Sequence, residues 1–126
     1  MLSLEEYRKL ANDEIAAIPY PATPNGLYEP IAYTMDLGGK RLRPALVLMA
    51  CEAMGGDVKK AVKPAVGLEL FHNFTLLHDD VMDNADVRRG KPTVHRRWND
   101  NTAILSGDTM LTMSSQYAVS YTHLRA

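Results

Sequence analysis

Leu4, Tyr7, Leu10, Ala11 and Ile15 recur at the three-and-four spacing of one helical face, and Ser3 with Glu6 forms a capping-box pair ahead of them. An amphipathic helix is therefore expected from Ser3 to about Ile18, ended by Pro19, Pro21 and Pro24. A second helix is expected over about Leu27 to Leu37, closed by Gly38-Gly39, which accept the left-handed backbone of many helix ends. Pro44 suits the first turn of a third helix, which runs apolar nearly all round to Met54 and predicts a buried element stopped at Gly55-Gly56. The longest pattern runs from about Val58 to Asn84, with Pro64 at a start or a break before it. Asp86 to Pro92 reads as a loop, and Thr93 to Trp98 as a short helical turn. A last helix, capped by Asn101 or Thr102, carries Ala103, Leu105, Met110, Leu111 and Met113. With no alternating stretch and no internal repeat, the pattern predicts an all-α fold.

Composition changes little in that picture. The 126 residues are 46% hydrophobic, as expected of a globular domain with a core, and the net charge is -1. That balance gives no argument for nucleic acid or an anionic membrane as partner. The start, Met1-Leu2-Ser3-Leu4-Glu5-Glu6, has no basic region followed by an apolar run, so neither a signal peptide nor a membrane anchor is read there and a cytoplasmic location is expected. Cys51 has no partner cysteine and reads as a core residue.

The local distribution of charge says more. The stretch from His78 to Asp86 carries four aspartates, and Arg88, Arg89, Lys91, Arg96 and Arg97 follow at once. On a helix, Asp79 and Asp83 share a face, and Asp86 returns to it if the helix lasts that far. Such crowded carboxylates suit magnesium, a hard cation that takes carboxylate oxygen beside substrate phosphates. The bland alternative is a solvated acidic helix end, although the negative end of a helix dipole disfavours it. Two basic turns, Gly38-Gly39-Lys40-Arg41-Leu42-Arg43-Pro44 and Arg88-Arg89-Gly90-Lys91-Pro92, are the residue types that grip phosphate. His72 lies on the aspartate face, while His78, His95 and Trp98 read as packing. The adjacent His78-Asp79 pair also invites a rival reading, an all-α metal phosphohydrolase of the HD type, in which the basic turns have no necessary place.

Taken with Leu76-Leu77-His78-Asp79-Asp80-Val81-Met82-Asp83, the two basic turns resemble, in order and spacing, motifs of the polyprenyl synthetase family, the trans-isoprenyl diphosphate synthases. The resemblance runs from about Leu4 to Val119 and implies the N-terminal part of the isoprenoid synthase helical bundle. It implies that Asp79, Asp80 and Asp83 hold magnesium against an allylic prenyl diphosphate and that Arg88 binds the same diphosphate. Lys40, Arg43, His72 and Arg89 would bind isopentenyl diphosphate, and Phe74, with Thr75 and Phe71, would set chain length at the short-chain, farnesyl or geranylgeranyl end. A homodimer is implied too.

The family's second aspartate-rich motif does not occur in these residues, so the 126-residue chain alone is expected to be inactive and to expose apolar faces. A non-catalytic diphosphate-binding subunit is the alternative from another class. Residues 1–119 are read as the family portion. Ser120 to Ala126 loses the apolar period and resembles a translated adapter sequence, so it is read as a tail foreign to the natural protein.

Overall fold

The computed structural model describes the backbone of residues 1–123 and the side chains of residues 1–119. The elements are α1 (Leu4–Ala16), α2 (Asn25–Asp36), α3 (Leu42–Ala53), α4 (Val58–Met82), β1 (Val87–Arg88), β2 (Lys91–Pro92), α5 (Val94–Arg97) and α6 (Asp100–His123). The fold is all-α but for one minimal hairpin. No helix of the described residues is long and apolar enough to cross a membrane.

The chain divides into two compact units. The first comprises Met1–Ile18, Gly39–Glu69 and the chain from Met113. Here α1 packs on α3. The Ser3–Glu6 capping box closes the start of α1 in both directions, so its first turn leaves fewer amide groups without an acceptor. Tyr7, Ala45, Leu48 and Ala65 form the buried core, flanked by Leu10, Val47 and Val62. Burying a side chain of Leu48's size stabilises by about 2 kcal/mol. Glu52 fastens the edge of this core, accepting from the Tyr7 hydroxyl at 2.6 Å and from the Leu2 amide at 2.9 Å.

Several expectations for this unit need correcting. α3 is not buried all round: Pro44, Ala45 and Leu48 are buried, but Leu42 and Leu46 are 44% and 59% exposed. Composition alone could not tell which apolar face meets a neighbour. Cys51 is half-buried rather than in the core, its thiol directed at the Asp57 carbonyl 3.6 Å away. Pro64 neither begins nor breaks α4, which starts at Val58 and continues through it at the loss of one backbone hydrogen bond. α6 continues to His123. A side chain on Gly67 of α4 would come within 2.9 Å of the Ser114 carbonyl and 3.0 Å of the Ala118 amide, so two backbones meet directly there. Of the tail read as foreign, the backbone to His123 continues α6, and Leu124 to Ala126 lie outside the described residues.

The second unit comprises Pro19–Gly38 and Leu70–Thr112. Its buried apolar side chains include Ile31, Met35, Leu70, Leu77, Val94 and Met110. The Ser106 hydroxyl of α6 donates to the Leu27 carbonyl of α2 at 2.8 Å. α4 ends in a left-handed cap: Asn84 has φ +54°, its amide bonds the Val81 carbonyl, and the Ala85 amide bonds the Asp80 carbonyl. The stretch expected as a loop is a hairpin, with Val87 opposite Pro92 and Arg88 opposite Lys91. Arg89 and Gly90 turn it with φ of +50° and +78°, the paired left-handed conformation of the tightest hairpins. Two residues per strand are too few to show alternation, which is why the sequence reads as loop. The cap of α6 is Asn99, not Asn101 or Thr102, since the Asn99 side chain accepts from the Thr102 amide at 2.7 Å.

Candidate functional site

The aspartates stand where α4 stops. Asp83 still donates its amide to the Asp79 carbonyl at 2.8 Å, so the helical register reaches it and the two exposed carboxylates share a face. Asp86 does not return to that face. The left-handed cap at Asn84 turns the chain away, and Asp86 instead accepts from Arg96 at 2.6 Å, while a second Arg96 nitrogen reaches Asn84 at 2.8 Å.

Asp80 differs from its neighbours. It is 6% exposed, and Arg88 grips it with two parallel bonds, Nε to Oδ2 at 2.7 Å and Nη2 to Oδ1 at 2.8 Å. The bond to Asp80 holds the Arg88 guanidinium above its ordinary pKa. Sequence reasoning missed this pair, because nothing in an eight-residue separation across a helix end specifies it. Arg88 is thereby fixed beside the aspartate face.

The rest of the hairpin is tied down residue by residue. Arg89 donates to the Gly38 carbonyl, the first residue of the other basic motif. The Tyr33 hydroxyl donates to the Pro92 carbonyl at 2.6 Å, and the Thr93 hydroxyl to the Ala85 carbonyl at 2.8 Å. Trp98 meets Tyr33 edge-on with ring centroids 5.3 Å apart, and the Arg97 guanidinium lies 4.6 Å and 4.8 Å from these two rings. Trp98 is half-buried and His95 buried.

Along α4, below the aspartates, Phe71, Phe74 and His78 form a ladder. The Phe71 and Phe74 centroids are 5.5 Å apart, and those of Phe74 and His78 4.9 Å. Thr75 turns its hydroxyl back onto the His72 carbonyl at 2.6 Å, and His72 is half-buried. Lys40 and Arg43 belong to the first unit and are exposed. Between them Arg41 is buried, with φ +54°, its Nε 3.0 Å from Asn12 Oδ1 and its Nη1 4.0 Å from Glu69. Of the three cations in that motif, one is thus structural.

No group of three or more His, Cys, Asp or Glu converges among the described residues. Magnesium does not need one: it commonly takes one or two carboxylates and completes its shell with water and substrate phosphate. Two hard carboxylates on one exposed face, with a fixed guanidinium beside them, fit that donor set.

A family profile described as polyprenyl synthetase matches residues 24–126. A geranylgeranyl diphosphate synthase of Methanosarcina mazei is 46% identical over 113 residues, which are 87% of this chain and 35% of that protein. A farnesyl diphosphate synthase of Micrococcus luteus is 41% identical over 88% of this chain and 38% of that protein. Among solved structures, a geranylgeranyl pyrophosphate synthase superposes with a TM-score of 0.89 at 50% identity, covering 93% of this chain and 36% of that one. The chain spans about a third of the length of the curated relatives it matches.

Proposed function

This chain belongs to the polyprenyl synthetase family, and from that premise we propose that the full-length protein condenses an allylic prenyl diphosphate with isopentenyl diphosphate to give a longer prenyl diphosphate. The observation that carries the reading is the shared exposed face of Asp79 and Asp83 with Arg88 fixed beside it by Asp80. The same relatives leave the HD-type phosphohydrolase without support.

Asp79 and Asp83 would hold magnesium, which when bound supplies positive charge to the diphosphate of the allylic substrate. Asp80 acts through Arg88: gripping the guanidinium through two of its nitrogens, it leaves Nη1 for a phosphate oxygen and holds it in one orientation. That preorganisation favours the developing charge of the departing pyrophosphate over the neutral ester bond. As the allylic carbon–oxygen bond breaks, the double bond of isopentenyl diphosphate attacks that carbon, and the departed pyrophosphate takes up the proton lost from the new chain. Lys40, Arg43, His72 and Arg89 are the candidates for binding isopentenyl diphosphate. Phe74, backed by Phe71 and with Thr75 beside it, is the candidate floor for the growing chain and supports a short-chain product. The working protein is proposed to be a cytoplasmic homodimer.

The test is turnover of geranyl diphosphate with isopentenyl diphosphate by the full-length protein, with and without magnesium. Asp79→Asn and Asp83→Asn should each lower kcat by about a hundred-fold or more. Binding of both diphosphates without any condensation would favour the non-catalytic subunit instead.

A further inference from the structure

His78 stands immediately before Asp79 and four residues after Phe74, and its side chain is only 26% exposed. Its Nε2 lies 3.1 Å from the Ile104 carbonyl of α6. A carbonyl oxygen has no proton to give, so Nε2 carries the hydrogen and the imidazole is the donor. The Asp108 carboxylate lies 3.7 Å from the same nitrogen. The ring also presents to Phe74 at 72° with centroids 4.9 Å apart, an edge-to-face pair that restrains both side chains.

The facing position on α6 is Gly107, where a side chain would begin 2.3 Å from His78 Nε2 and 2.5 Å from its Cδ2. No atom fits there. The notch is therefore what lets the imidazole reach a main-chain carbonyl of the neighbouring helix. It does so one residue before Asp79 and four before the end of α4 at Met82, beyond which Asp83 follows.

We infer that His78 is a positioning residue with two separable jobs: its Nε2–H fixes the rotation of the last turn of α4 and so the bearing of Asp79 and Asp83, while its ring fixes the rotamer of Phe74. The inference rests on the synthase reading above and deepens it. A hydrogen bond next to Asp79 opposes the fraying that helix ends undergo, and an aromatic neighbour at four-residue spacing limits how far the Phe74 ring can swing.

Two substitutions divide the jobs. His78→Gln retains a side-chain N–H donor but removes the ring, whereas His78→Phe retains a ring in the notch but removes the donor. In the full-length protein the readouts are magnesium-dependent binding of inorganic pyrophosphate, by calorimetry, and the chain lengths made from geranyl diphosphate. His78→Phe should weaken pyrophosphate binding about five-fold and leave product lengths unchanged. His78→Gln should keep binding within about two-fold and shift products to longer chains. Gly107→Ala, which displaces the imidazole, should move both readouts. The inference is overturned if the two His78 variants move the same readout, exchange their effects or move neither. If the unsubstituted protein neither binds pyrophosphate nor makes a longer product, the synthase reading itself fails, and that is seen before any variant is made.

Discussion

Asp79 and Asp80 are neighbours in sequence and opposites in surroundings, since a single helical step turns one carboxylate to solvent and the other under Arg88. Spacing alone could give the first half of that statement, because residues four apart share a face. It could not give the second, nor the bond from His78 to a carbonyl 26 residues away, because neither depends on local periodicity. Phe74 is the residue whose proposed role is most directly measurable. Removing its ring deepens whatever space the growing chain occupies, so Phe74→Ala in the full-length protein should give longer products, read by chromatography of the dephosphorylated alcohols. An unchanged distribution would leave Phe74 as a packing residue. Binding of the first substrate should change little, since the substitution lies one helical turn from the aspartates.

The existence and order of the helices were legible because apolar periodicity persists over many residues, and the Ser3–Glu6 cap and the Gly55 stop rest on local chemistry alone. The close approach of Gly67 to the backbone of α6 was not, since it joins segments far apart in the sequence. At the end of α4, Asn84 accepts a left-handed backbone that penalises most residues. Asn84→Ala should destabilise by about 1 kcal/mol in denaturant unfolding, with Asn84→Gly close to neutral. α1 and α3 offer a pH test. The hydrogen bonds from Tyr7 and then Leu2 hold the Glu52 carboxyl below its ordinary value of 4.5, so the folded state binds this proton less readily than the unfolded. The resulting stability is present above that ordinary value and lost as pH falls through the lowered one. Tyr7, raised above 10.0 chiefly by the same bond, contributes below its ordinary value and loses that contribution as pH rises through the raised one. Glu52→Gln should therefore lower the melting temperature at neutral pH and flatten its decline into acid.

At the scale of the molecule, the described residues leave Leu42, Leu46, Phe71 and Leu105 between 44% and 59% exposed, spread over three helices. Periodicity marks such positions as apolar without saying what covers them. A polypeptide of these 126 residues is expected to self-associate and to show no condensation, which sedimentation and a product assay would check together. The hairpin turn carries a different lesson. Arg89 occupies a backbone conformation that asparagine or glycine adopts at less cost, yet it is the arginine whose guanidinium reaches Gly38 and which is proposed to meet substrate. A campaign that selects variants only for heat resistance would be drawn to this position first, and would there exchange the enzyme's purpose for its durability.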